Sequence, residues 1–199
     1  MKRQTSSAHQ GFGVPAEDSV KVIIETPKGS RNKFKYDPAL RMFKLSKVLP
    51  EGMVFPYDFG FVPSTKGDDG DPVDVLVLMD EPTFPGCLLE CRLVGVLEAE
   101  QEEKKKKKQN PRLIAVAKQS LLFSEVASLG DINPTVLRQV EAFFVNYQKA
   151  RDVKFTILAR RGPDRALEIL KGAVSGYLDC RPITLLPWEP DINRIPWIL

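Results

Sequence analysis

Short runs of β-forming residues, separated by proline, glycine and polar turns, fill the first two thirds of this chain. They lie at 20–26, 33–36, 42–45, 55–62, 73–79, 88–98 and 112–117. Strands at this spacing close into a barrel or pack as a sandwich. The last third changes period. Asn133 is a good N-cap and Pro134 suits the first helical position. Val136, Leu137, Val140, Phe143, Phe144 and Tyr147 then fall on one helical stripe. Residues 154–159 return to strand, and 163–174 form a second amphipathic helix with Ala166, Leu167, Leu170, Ala173 and Val174 inward. The expectation is an α+β chain, mainly β.

A chain of 199 residues is long enough for one domain with a real core. With 43% hydrophobic and 28% charged residues it has an ordinary soluble composition. The net charge of +3 is too small to imply a nucleic-acid partner. No apolar run approaches the length of a membrane span. Residues 1–17 are polar, lack the apolar core of a signal peptide, and read as a flexible lead-in. The domain is expected over 18–175. Residues 176–199 form a C-terminal extension with Trp188, Trp197 and four prolines, too apolar for a free tail and too Pro-rich for a helix. Packing on a neighbouring subunit would suit it.

Three cysteines, Cys87, Cys91 and Cys180, are an odd number without a second Cys or His pair to complete a zinc site. They read as small buried thiols of a protein in the reducing cytoplasm. The single histidine, His9, lies in the lead-in. Ser-His-Asp and Cys-His catalysis both need a positioned imidazole. Hydrolytic chemistry here would have to run on carboxylates, lysines, tyrosines and metal ions.

The strand at 73–79 opens with such a set. In Asp69-Gly70-Asp71-Pro72-Val73-Asp74, three carboxylates sit at i, i+2 and i+5, with Asp68 just before them. Like charges this close raise each other's pKa unless a cation sits among them. Hard oxygen donors of this kind suit Mg²⁺ or Mn²⁺ rather than zinc. A solvated acidic turn is the plainer alternative. An EF-hand is excluded, because Val73 and Asp74 stand where its loop needs an oxygen ligand and glycine. The segment 102–109 holds five consecutive lysines. Such runs are normally solvated and mobile, which competes with a phosphate-guiding role.

Four blocks then occur in order: Val22-Ile23-Ile24-Glu25-Thr26-Pro27-Lys28-Gly29-Ser30-Arg31-Asn32-Lys33, Phe55-Pro56-Tyr57-Asp58-Phe59-Gly60-Phe61-Val62-Pro63, the aspartate motif, and Phe143-Phe144-Val145-Asn146-Tyr147. Over about 20–174 the chain resembles the soluble family I inorganic pyrophosphatases of bacterial type. The resemblance implies a five-stranded OB-type barrel flanked by two α-helices, and hydrolysis of inorganic pyrophosphate dependent on Mg²⁺. It also implies a homo-oligomer, usually a hexamer. By the same resemblance Asp71 is the general base, Asp69 and Asp74 hold metal together with Glu25, and Lys33 and Tyr147 bind the phosphoryl groups. Tyr147 also lies in the apolar stripe, so a plain core role would explain it as well.

Several positions depart from the family pattern. Lys35 replaces a glutamate, Phe59 a tyrosine and Gln148 a lysine, with Lys149 adjacent. Lys47 stands for the phosphate arginine and keeps charge without the bidentate fork. Gln101 and Asn110 fall on two outer metal aspartates, and Arg112 on a catalytic lysine. The expectation is an active enzyme with an altered outer metal shell. A degenerate phosphate- or partner-binding relative without turnover is the rival reading.

Overall fold

The computed structural model describes residues 19–179. His9, Cys180 and the extension from 180 onward lie outside the described residues, as does the lead-in. The strands are β1 (Val20–Thr26), β2 (Asn32–Asp37), β3 (Met42–Val48), β4 (Asp58–Phe61), β5 (Asp74–Leu78), β6 (Leu88–Glu103), β7 (Lys106–Gln109), β8 (Arg112–Ala117) and β9 (Lys154–Arg161). The helices are α1 (Pro134–Lys149) and α2 (Pro163–Asp179). The fold is thus mainly β with two helices. Among the described residues no helix is long and apolar enough to cross a membrane.

Five strands are paired in a cycle. β1 pairs with β4, β4 with β5, β5 with β8, β8 with β6, and β6 again with β1. All these pairings are antiparallel except β5 with β8. β9 adds to the outer stretch of β6, and β2 and β3 form a separate hairpin. β5 and β8 are buried on both faces, which is why they read as unbroken apolar runs. Leu76, Leu78, Ile114 and Val116 pack with Leu137, Val140 and Phe144 of α1. The alternate residues Val75, Val77, Leu113 and Ala115 join Val20, Val22 and Ile24 with Ala166, Leu170 and Ala173 of α2.

Local rules account for most boundaries. Asn133 caps α1 by accepting the Thr135 N–H at 2.8 Å, and Pro134 opens the helix. Gly60 is required where β4 crosses β1, since a Cβ there would stand 2.1 Å from the Ile23 carbonyl oxygen. Three expectations need correction. The aromatic run at 55–62 is strand only from Asp58, because Pro56 precludes a ladder at its start. α2 continues to Asp179, past the boundary expected at 176. The lysine run is not a loose loop. It forms β7, paired antiparallel with the acidic end of β6 through a two-residue turn at Lys104 and Lys105, with φ of 50° and 63°.

Cys87 and Cys91 are free thiols. Cys91 is fully buried, and burial pushes its thiol up to about 12. At pH 8 only about one molecule in 10⁴ would carry the reactive thiolate. Iodoacetamide at pH 8 should therefore leave Cys91 unmodified in the native protein and label it after unfolding, as read by peptide mass spectrometry. Rapid stoichiometric labelling of native Cys91 would contradict this packing.

Candidate active site

The aspartate loop is built before any chemistry is asked of it. Gly70 adopts φ 91°, the Gly67 N–H donates to the Asp71 carbonyl at 2.8 Å, and the Asp71 N–H donates to the Asp69 carboxylate at 3.1 Å. Thr65 ties the base of the loop, accepting from Val73 N–H at 3.0 Å. The Lys66 N–H donates to the Ala173 carbonyl, anchoring the loop to α2. Asp74 then begins β5, and the parallel register that matches Val75 to Leu113 sets it beside Arg112 at the start of β8. Glu25 occupies a bulge, where the β1–β4 register slips between Ile24 and Thr26. A bulge re-aims a side chain, and Glu25 turns to accept the Tyr36 N–H of β2 at 2.8 Å.

These elements surround a cavity of about 490 Å³. Glu25, Lys33, Asp69, Asp71, Asp74, Gln101, Asn110, Arg112 and Tyr147 all line it, although they come from eight different elements or loops. Lys47 sits at its border as the cross-strand partner of Lys33, its Nζ 5.9 Å from the Tyr147 ring centre. A larger hollow of about 720 Å³ lies beyond the aspartate loop against α2, but it lacks Glu25, Lys33 and Tyr147.

One wall is anionic. Burial raises the Glu25 carboxyl above its usual value, against the hydrogen bond from Tyr36 and the charge of Lys33. Burial likewise raises Asp69, helped by the neighbouring charges of Asp74 and Asp71. Two of the carboxylates are braced by side-chain cations. Lys35 Nζ lies 2.8 Å from Asp71 Oδ2, and this contact, outweighing the larger opposing effect of burial in sum with the nearby acids, raises Lys35. Arg112 is ion-paired with Asp74 and donates to Asn110 Oδ1 at 2.7 Å. Asn110 donates in turn to Gln101 Oε1 at 2.8 Å. The three departures Gln101, Asn110 and Arg112 thus form one chain of hydrogen bonds ending on Asp74. Arg112 is buried with its guanidinium carbon 5.5–5.9 Å from the ring centres of Phe59, Phe144 and Phe155. Phe59, where a tyrosine was expected, serves as part of that aromatic pocket.

The cavity is also lined by cations. Lys33 Nζ lies 4.9 Å from the Phe59 ring centre and 5.5 Å from that of Tyr147. Tyr147 is 5% exposed, so it does belong to the core, yet its buried hydroxyl makes no hydrogen bond of ordinary geometry. Burial pushes this phenol up, but the charges of Lys33, Lys47 and Arg151 together hold it below its usual value. Burial lowers Lys47, with Arg151 and Lys33 as repelling neighbours. A buried phenol without a partner, ringed by cations, is a place for an anionic oxygen.

Lys149 does not join the site. It is exposed and absent from the cavity lining. Arg151 lines the cavity instead, 5.8 Å from the Tyr147 ring centre and bonded to Gln148 Oε1 at 2.8 Å. Arg151 lies in the turn just past the end of α1, its N–H donating to the Gln148 carbonyl at 2.9 Å, and helical spacing did not signal it. The carboxylates are hard oxygen donors, and the raised Glu25 and Asp69 mark an anionic wall that a divalent cation would relieve, so the donor chemistry fits such an ion. Among the described residues no three of these groups yet converge on one point.

A cavity that brings carboxylates together with lysine, arginine and phenol donors suits a phosphate anion bound with a cation. The family model described as inorganic pyrophosphatase matches residues 22–178. An inorganic pyrophosphatase of Methanosarcina acetivorans is 35% identical over 158 residues, covering 79% of this chain and 92% of that protein. One from Thermus thermophilus is 36% identical over 170 residues, covering 83% and 94%. The crystal structure of inorganic pyrophosphatase from Thermus thermophilus matches with a TM-score of 0.76 at 33% identity, covering 84% of this chain and 96% of that one. The Helicobacter pylori inorganic pyrophosphatase structure gives 0.77 at 30%, covering 85% and 99%. The chain belongs to the inorganic pyrophosphatase family.

Proposed function

We propose that the protein hydrolyses inorganic pyrophosphate to two phosphates. What supports this is the cavity, which in a chain of this family is lined by Asp69, Asp71 and Asp74 together with Lys33, Tyr147 and Arg151. Asp71 accepts the proton of the attacking water. Lys33, Lys47, Arg151 and the free Tyr147 hydroxyl hold the oxygens of the departing phosphate and stabilise the charge that moves onto it. Arg112 keeps Asp74 in place. Asp69, Asp71 and Asp74, with Glu25 behind them, would hold Mg²⁺, with Mn²⁺ as a substitute. Bound there, such an ion supplies charge to the substrate oxygens and lowers the pKa of a bound water. Lys35 must share or release Asp71 when that carboxylate is engaged, and as a partly exposed ion pair this costs at most about 1 kcal/mol.

The finer assignments belong to the same reading. The cycle of five paired strands supports an OB-type barrel over 18–175. A cytoplasmic homohexamer without nucleic-acid partners completes it.

Purified protein should release phosphate from pyrophosphate with Mg²⁺, also with Mn²⁺, and not with a chelator. No release with either ion from a folded sample would overturn the proposal.

A further inference from the structure

The hairpin of β6 and β7 does more than extend the sheet. Its register sets Gln101 opposite Lys108 and Glu103 opposite Lys106 on one face, and Glu102 opposite Lys107 on the other. Alternate residues of a strand share a face, and the two faces are treated differently. On the outer face Lys107 is ion-paired with Glu100 at 2.8 Å, and Lys154 with Glu102 at 3.8 Å. On the inner face Lys104, Lys106 and Lys108 line a hollow of about 380 Å³, and among the described residues no carboxylate is ion-paired with any of them. The only acid that the hairpin itself contributes to the hollow is Glu103.

This hollow is continuous with the candidate active site. Asp69, Asp71, Gln101 and Asn110 line both. The aspartates therefore stand between two cationic flanks, Lys33 with Arg151 on one side and the three hairpin lysines on the other. Pyrophosphate needs only the first. The second offers ammonium donors to a further phosphoryl group, and among the described residues no aromatic or aliphatic side chain lines it against which a nucleobase could stack.

We infer that the hairpin lysines Lys104, Lys106 and Lys108 form a subsite for the additional phosphoryl groups of a linear inorganic polyphosphate, with tripolyphosphate as the shortest ligand that spans both flanks. The inference rests on the proposed pyrophosphate hydrolysis and extends its substrate class. Water attacks the phosphorus above the aspartates and its proton passes to Asp71. The P–O bond to the phosphoryl group held by Lys33 breaks, and that group leaves as phosphate with the bridging oxygen. The remainder, pyrophosphate, stays on the hairpin side and is itself a substrate.

The test compares the wild type with the triple variant Lys104→Gln, Lys106→Gln, Lys108→Gln on tripolyphosphate and on pyrophosphate at one Mg²⁺ concentration. The expected result is turnover of both by the wild type. In the variant kcat/KM for tripolyphosphate falls about tenfold or more, as the loss of a charge-assisted contact implies, while that for pyrophosphate stays within about twofold. Wild-type turnover of pyrophosphate alone, or equal effects of the variant on both anions, overturns the subsite. If neither anion is hydrolysed, the proposed reaction falls, and calorimetric binding decides the subsite separately. Tripolyphosphate that binds about tenfold tighter than pyrophosphate, with the gap closed in the triple variant, supports it, and equal affinities in the wild type overturn it.

Discussion

Asp71→Asn lowers pyrophosphate turnover by about 10²–10⁴-fold, the usual contribution of a positioned general base, and leaves the melting temperature nearly unchanged. The two halves of this expectation have separate grounds. The amide cannot take up the proton of the attacking water, so the chemical step loses its acceptor. The fold loses only the pair with Lys35, whose two side chains are 43% and 59% exposed, and such pairs contribute about 0–1 kcal/mol. The loop hydrogen bonds at Asp71 use its backbone N–H and carbonyl, which survive the substitution. Phosphate release and a melting curve on the same sample check both halves. Near-wild-type turnover with a normal melt would remove Asp71 from the role of base.

Arg112→Ala acts on stability and costs the fold about 3–5 kcal/mol, the range for breaking a buried ion pair by deleting one partner. Arg112 is 5% exposed. Its removal leaves Asp74 without its cation and Asn110 without its donor, and it empties the space between Phe59, Phe144 and Phe155. For a chain of this size the melting temperature should fall by about 10 °C. Arg112→Lys recovers only part of the loss, because one ammonium cannot serve both oxygens and fill a planar slot between rings. Calorimetric melting of both variants checks this. A drop of only a degree or two for Arg112→Ala would mean that Asp74 is solvated enough to stand alone.

Much of this architecture was legible in the residues. β1 and β8 fall where their Val, Ile and Leu runs place them, because apolar and β-branched side chains suit a largely buried sheet, and the start of β6 falls where its alternation of exposed and buried residues places it. The cap of α1 was explicit in Asn133 and Pro134. The aspartate motif and its neighbours do meet in one cavity. What was hidden depends on partners distant in the chain. β7 is a strand because Glu102 and Glu103 stand opposite Lys107 and Lys106 and Glu100 pairs with Lys107, a match that no local propensity contains. Its turn carries Lys104 and Lys105 at positive φ, a conformation usually signalled by Asn-Gly. The Lys35–Asp71 pair and the chain from Gln101 to Asp74 arise only when β2, β5, β6 and β8 are side by side. Lys149 was the nearer substitute in sequence, but the turn after the helix, in which Arg151 bonds back to Gln148, brings Arg151 to the site instead.

β6 is the common neighbour of four other strands. Its first residues pair with β1, its middle with β8, and its end with both β9 and β7. Val20 meets Cys91 across most of seventy residues of intervening chain, and such long-range closure must be completed before its contacts return any free energy. The cavity walls lie on both sides of that closure, with Glu25, Lys33 and the aspartates before β6 and Arg112 and Tyr147 after it. Folding and function are therefore tied to one kinetic event. A nascent chain holds every catalytic carboxylate early, yet it has no site until β6 has joined β1, so in refolding the recovery of activity should not precede that closure.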